Sequence, residues 1–378
     1  MKSLPVEVLE MICEQVPRPL LPSVMRCNIL LYTLACRVLY RNPFENLKMN
    51  QRIRLLKTLS DSTSSTSPLR PRSNRISHPR LHVRVLRLDF TNNLVSHNLL
   101  RLIQRVLRSL PALLDLYLEF SPKDNRGSLS WVLDGLNTSL HTPPRSPSLR
   151  LLSTSIRCDQ SLSRFLASQP GITELSLRGF ATTEPFKLPP SALPNLSAFR
   201  IVHLSADVLG GVLEGRPVKA VAVTLFPGDC WKPLDALKRS TVEVKRLTVL
   251  VFDDESAQTI FGEVSRRVRG LEALHVVGLM ASYSTPIQTH RLSIPKISLL
   301  ATAPILSRFP SLKYLTFMAG DPVNCGSPPC TIDDERRVAG VWSKACPTLQ
   351  TIILPKGQVW YESDGIWCCC GSDSMEGA

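Results

Sequence analysis

Chemistry needs side chains that attack, ligate or carry protons, and in this chain those types are thinly spread. Cys325 and Cys330 are separated by four residues in a proline-rich stretch, the spacing of half a zinc site. No histidine and no second cysteine pair stands near them, so they are read as ordinary loop thiols and no metal is expected. The run Cys368-Cys369-Cys370 has thiols that can accept lipid, yet neither a polybasic flank nor a prenylation box accompanies it. Cys13, Cys27, Cys36, Cys158, Cys230 and Cys346 are scattered singly. An odd total of 11 points to reduced thiols of the cytoplasm or nucleus, not to a disulfide framework.

The 7 histidines (His78, His82, His97, His141, His203, His275 and His290) are isolated along the chain. General acid–base work asks for a tuned, positioned partner, and none is visible beside them. Phosphate-cradling loops, dinucleotide turns, nucleophile elbows and paired metal-binding histidines are all missing from the sequence. Asp333-Asp334 falls where a helix begins, which capping and the helix dipole explain; Asp253-Asp254 follows a strand and reads as a solvated turn. The expectation is a chain that is no enzyme, with no catalytic residue, no metal ligand and no cofactor.

Charge is less evenly spread than chemistry. Of the net +14, most resides between Gln51 and Leu110, where Arg52, Arg54, Lys57, Arg70, Arg72, Arg75, Arg80, Arg84, Arg87, Arg101, Arg105 and Arg108 face only Asp61 and Asp89. Such a segment invites a nucleic-acid reading, because neutralised phosphates release counterions. Phe90 is its one large aromatic and belongs to a core pattern, so bases have nothing to stack on. A charged surface plus a basic loop is the preferred reading, with an acidic protein partner next and nucleic acid not expected.

The elements that carry these residues follow from periodicity. At 378 residues and 43% hydrophobic content the chain can bury a large core, but 30 prolines and only 6% aromatics imply many short elements resting on Leu, Val and Ile. Residues 58–80, rich in Ser, Thr, Pro and Arg, have almost nothing to bury and read as a disordered linker. From His82 a motif recurs: an apolar residue, two others, then alternating apolar positions, approached through Pro or Gly. It is seen in HVRVLRLDF, LPALLDLYLEF, SPSLRLLSTSI, QPGITELSLRGF, LPNLSAFRIVHL, RPVKAVAVTLF, VEVKRLTVLVF, VRGLEALHVVGL, FPSLKYLTFMAG and CPTLQTIILPKG. Alternation of period two predicts strands, with Leu86, Leu116, Leu152, Leu175, Phe199, Val221, Leu247, Leu274, Leu315 and Ile352 as pivots. Helical stretches such as HNLLRLIQRVLRSL, SLSRFLASQP and SAQTIFGEVSRRVRG lie between them. Strand, helix and strand again at intervals of roughly 20–40 residues build a parallel solenoid of leucine-rich repeats. The usual asparagine after the leucine triplet is largely missing, with Arg178-Gly179, Val202-His203 or Phe252-Asp253 in its place.

Before the repeats, LPVEVLEMICEQV sets Leu4, Val8, Leu9, Ile12 and Val16 at helical spacing, with Ser3 able to cap and Pro17 and Pro19 ending the run. A second helix is expected from about Ser23 and a third finishing near Tyr40, with Asn42-Pro43 as the stop. LPVEVLEMICEQV, PSVMRCNILLYTLA and CRVLYRNP together resemble an F-box over residues 4–44. Where that family often carries a polar, basic stretch in its second helix, this chain reads Cys27-Asn28-Ile29-Leu30. ACPTLQTIILPKGQVWYES resembles the closing repeat of the F-box and leucine-rich-repeat families of mushroom-forming fungi.

The resemblance implies a substrate-recognition subunit of a Skp–cullin–F-box ubiquitin ligase. It places Leu4, Pro5, Val8, Leu9 and Ile12 on or under the surface facing a Skp-type adaptor, with Val24 and Leu31 contributing from later helices. The other reading of the same residues is a repeat scaffold for protein–protein interaction whose helical cap engages no ligase. The organisation expected is α/β: a three-helix F-box module over residues 1–44, a helix and basic linker over 45–81, an irregular solenoid of about ten repeats with a parallel sheet over 82–360, and a flexible tail over 361–378. Outward strand positions such as Arg87, Tyr117, Glu174, Arg200, Lys245 and Tyr314 are candidate contacts for an unknown protein target. No membrane span is expected, because Leu20–Tyr40 is cut by Pro22, Arg26 and Arg37. Secretion is not expected either, because Glu7, Glu10 and Glu14 interrupt any signal-peptide core.

Overall fold

A computed structural model describes residues 4–45, 47–60, 78–123, 129–136, 149–180, 186–203, 205–226, 228–229, 231–252, 255–278, 299–319, 332–355, 357–363 and 366–370. Residues 61–77 of the basic linker, Ser3, Cys230, Cys325, Cys330, Asp253-Asp254, His141 and His290 lie outside the described residues, whereas the ends of the expected linker are ordered, 58–60 in a helix and 79–80 in a 3-10 turn. Backbone contacts divide the chain into two units, Met1–Asn195 and Leu196–Ala378.

The first unit opens with helices α1 (Val6–Gln15), α2 (Leu21–Val24) and α3 (Ile29–Arg41), followed by α4 (Met49–Ser60). α1 starts behind Pro5, which contributes no side-chain cap. α3 starts where Asn28 turns extended and its Oδ1 accepts the Leu31 N–H at 2.8 Å. Cys13, Leu21, Leu34 and Ala35 form a small buried core, with Leu9, Val16, Val24, Met25, Leu31, Val38 and Leu39 packed on it. Ion pairs Arg41–Glu14 (3.0 Å) and Arg37–Glu10 (3.8 Å) join α1 to α3, and the Arg18 guanidinium donates to the carbonyls of Leu39 and Asn42.

Its remaining rungs are β1 (Val85–Phe90), β2 (Asp115–Phe120), β3 (Leu151–Thr154) and β4 (Glu174–Leu177), parallel and in chain order. α5 (His97–Ser109), a 3-10 stretch at Ser130–Leu136 and α6 (Gln160–Ala167) make the crossovers. The pivots Leu86, Leu116, Leu152 and Leu175 stand directly opposite one another, all buried. Two residues before each pivot, a backbone spine repeats. The Arg84 carbonyl accepts the Leu114 N–H, that of Leu114 accepts Arg150, and that of Arg150 accepts Thr173, each at 2.8 Å. No rung hides its own leucines, and each is worth about 1.5–3 kcal/mol only once a neighbour covers it.

The second unit continues the same grammar through β5 (Ala198–Ile201), β6 (Ala220–Leu225), β7 (Arg246–Val251), β8 (Ala273–Gly278), β9 (Tyr314–Ala319) and β10 (Thr351–Ile353), again parallel. Phe199, Val221, Leu247, Leu274, Leu315 and Ile352 form its row of opposed pivots. Helices α7 (Ala206–Leu213), α8 (Lys232–Ala236), α9 (Ala257–Arg267), α10 (Ala303–Leu306) and α11 (Ile332–Ala345) cross between strands. Asp333 and Asp334 fall in the first turn of α11, where negative charge meets the positive end of the helix.

Other groups occupy the turns that lack the repeat asparagine. In the first unit the Thr154 hydroxyl donates to the Leu118 carbonyl at 3.0 Å, Ser155 Oγ accepts the Phe120 N–H at 2.7 Å, and Phe90 stacks on Phe120. In the second, His203, Phe226 and Phe252 stack in succession, with ring centroids 5.6 and 5.1 Å apart.

Two expectations are corrected at the C-terminal end. The sheet is not parallel throughout: β10 pairs antiparallel with β11 (Val359–Ser363), which pairs antiparallel with β12 (Ile366–Cys369). The expected flexible tail over 361–378 therefore begins too early, because Trp367 and Cys369 are buried. Trp360 is fully buried and its indole N–H donates to the carboxylate of Glu335 in α11 at 3.4 Å. This hairpin covers the exposed edge that β10 would otherwise present, the position at which solenoids need a cap.

Candidate functional site

Large apolar side chains left in water mark a surface that awaits a partner. Of the sixteen exposed large hydrophobics among the described residues, eight fall within residues 4–30: Leu4, Val6, Val8, Met11, Ile12, Leu20, Ile29 and Leu30. Exposure reaches 55% at Leu4, 65% at Met11, 49% at Ile12 and 71% at Ile29. The helix period explains how α1 carries both sets. Leu9, Cys13 and Val16 turn onto the module core, while Val8, Met11 and Ile12 remain outside it.

The residues expected to face an adaptor separate accordingly. Leu4, Pro5, Val8 and Ile12 are exposed, whereas Leu9, Val24 and Leu31 are half-buried and packed on Cys13, Leu21, Leu34 and Ala35, beneath the surface. Periodicity alone gave no notice of Met11, Leu20, Ile29 and Leu30, because an apolar residue in an amphipathic helix is assigned to the core by default. The one available signal was Ile29-Leu30 in place of polar residues. Burial pushes the thiols of Cys13 and Cys36 up, so both are inert packing groups.

The strand faces of the two units differ in chemistry. In the first, Arg87 lies over the Tyr117 ring at 4.6 Å, Arg150 makes a forked contact with the Asp115 carboxylate at 3.0–3.2 Å, and Glu119 accepts from Ser153 at 2.9 Å with Arg178 at 3.9 Å. Its charges are largely matched internally. In the second, Ala220, Ala222, Thr248, Leu250, Val277 and Met318 are accessible, with Arg200, Arg246 and Tyr314 as the larger outward groups. Lys245, expected as an outward strand residue, instead precedes β7 and pairs with Glu243 (3.2 Å) and Glu272 (3.9 Å); Arg246 takes the strand position. Glu174 is exposed at the start of β4. His275 is half-buried, its Nδ1 is 2.9 Å from Thr316 Oγ1, and burial, then nearby Arg246, hold its imidazole below the usual value.

Among the described residues no group of three or more His, Cys, Asp or Glu is placed to hold a metal ion. No described helix is long and apolar enough to cross a membrane.

The sequence matches no known family model and no curated protein. Among solved structures it is similar to a chain in the crystal structure of the Rad7 and Elc1 complex in yeast, at 13% identity over 73% of this chain and 71% of that one, with a TM-score of 0.35. A TM-score of that size is too low to assign fold or function, so the repeat architecture rests on the strand register and spine described above.

Proposed function

We propose that the chain is the substrate-recognition subunit of a Skp–cullin–F-box ubiquitin ligase. The helical module over residues 4–44 docks a Skp-type adaptor, and the strand face of the second unit captures a protein target. The observation that carries this reading is the concentration of exposed apolar side chains along α1, just before α2 and at the start of α3, on the same residues whose sequence resembles an F-box. Such a surface is costly in water and is stabilised when a complementary groove covers it. The mostly uncharged face of β6–β9 supports the assignment of target capture to the second unit, since little must be desolvated there before contact.

In this role the chain performs no bond chemistry. It holds a target lysine near the ligase's ubiquitin-charged partner and so raises the effective concentration of the two reactants. Co-purification of the full chain with a Skp-type adaptor, lost in a Leu4→Asp, Ile12→Asp variant with an unchanged circular dichroism spectrum, is the expected result. A folded wild-type chain that fails to bind the adaptor would instead favour a repeat scaffold with no ligase.

A further inference from the structure

The helices α4 and α5 of the first unit carry a feature that neither adaptor docking nor target capture uses. Neither contains an Asp or a Glu, and they pack against each other, with Ser109 Oγ of α5 donating to the Leu59 carbonyl of α4 at 3.1 Å. Leu56 and Leu59 of α4 and Leu100, Ile103, Val106 and Leu107 of α5 are buried, so the opposite sides meet solvent. On those sides stand Arg54 and Lys57, three residues apart, and Arg101, Arg105 and Arg108, at the four- and three-residue steps of one helical stripe. All five are exposed, and among the described residues none is in an ion pair. Arg52, their neighbour, is excluded because its guanidinium donates to the Asp89 carbonyl at 2.5 Å. Elsewhere in the same unit several arginines are matched, as Arg150 is to Asp115 and Arg41 to Glu14.

Helix C-termini favour cations, which accounts for Lys57 and Arg108 in the last turns. It does not account for Arg101, about two turns before Arg108 in α5, nor for three like charges along one stripe, which repel. We infer that this helix pair is a docking surface for an acidic polypeptide segment, whose carboxylates pair with the guanidinium forks of Arg101, Arg105 and Arg108. The chemistry of the two helices favours this occupant over two other polyanions. Neither helix carries Phe, Tyr or Trp on which bases stack, and Trp131 beside them is half-buried against His97. Neither has an exposed large apolar side chain to insert into a lipid surface.

The test uses the full chain and fluorescein-labelled poly-L-glutamate, read by anisotropy across a salt series. The expected outcome is saturable binding that weakens with salt and weakens roughly tenfold or more in an Arg101→Gln, Arg105→Gln, Arg108→Gln variant. A control variant neutralising three exposed cations of the second unit that lie outside its strands, Lys219→Gln, Arg269→Gln, Arg308→Gln, carries the same net charge and is expected to bind as the wild type does. Equal loss in both variants assigns binding to net charge and overturns the inference, as does retention in the α5 variant. Tighter binding of single-stranded DNA or of phosphatidylserine vesicles than of poly-L-glutamate at matched charge also overturns it. The circular dichroism melt of each variant verifies that the fold is intact.

Discussion

Replacing Trp360 by alanine tests whether the C-terminal hairpin is a structural cap. Trp360 is fully buried on β11, and truncating a buried tryptophan costs about 3–5 kcal/mol through lost transfer energy and the cavity left behind. The change also removes the indole N–H that donates to Glu335, a residue only 1% exposed, and losing such a hydrogen bond adds about 0.5–1.5 kcal/mol. Against a total stability of about 5–15 kcal/mol for a folded domain, the lower end of that cost is already severe. Because each rung leans on its neighbours, the loss should be local. Urea unfolding followed by tryptophan fluorescence measures its size, and amide hydrogen exchange locates it. The expected pattern is early exchange in α11, β10, β11 and β12 with protection retained in β6, β7 and β8. A loss below about 1 kcal/mol with protection unchanged at β10 would show that the hairpin is no structural cap.

Other outcomes follow from single contacts. Leu4→Ala, Ile12→Ala removes two side chains about half exposed in the free chain, so stability should move by no more than about 0.5 kcal/mol, while adaptor affinity falls roughly ten- to hundredfold by calorimetry; unchanged affinity would remove α1 from the interface. A Cβ at Gly179 would sit 2.0 Å from the Ile156 carbonyl oxygen, so Gly179→Ala should cost about 1–3 kcal/mol in urea unfolding, and a neutral effect would contradict the close approach of those turns. The depressed pKa of His275 means that unfolding takes up a proton the folded chain refuses. The stability tied to it is present above the unfolded value near 6.5 and lost as pH falls through the lower folded value. His275→Gln should therefore flatten the fall in urea midpoint on going below about pH 6.5, leaving the share that belongs to His82, whose pKa is lowered in the same direction; an unaltered slope would contradict the assignment.

Much of this architecture is legible in the residues, and the reasons differ from place to place. Every pivot from Leu86 to Ile352 stands in its expected strand, because alternation on a half-buried sheet is a local signal that survives irregular repeat length. The stop after Arg41 follows from Asn42-Pro43, whereas Asn28, expected inside the second helix, instead caps the third. The closing hairpin stands where a flexible tail is expected, although Asp364-Gly365 separates QVWYES from IWCC in the sequence and an Asp-Gly pair between apolar runs is a strong hairpin signal. Its stability, however, comes from Trp360 meeting Glu335, a contact between residues 25 apart that no window of sequence displays. The candidate docking face was legible only in part. Helical spacing marks Leu4, Val8, Leu9 and Ile12 as one apolar set, and only packing separates Leu9, on the module core, from Leu4, Val8 and Ile12, which stay in water.

Recruitment of a ligase is the role proposed for the N-terminal module. Its most direct test is purification of the intact chain from the cells that make it, with quantitative mass spectrometry of whatever accompanies it. A Skp-type adaptor and a cullin are expected at near-equal amounts, both absent when Leu4 and Ile12 are replaced by aspartate. Recovery of a folded wild-type chain with neither protein would contradict it.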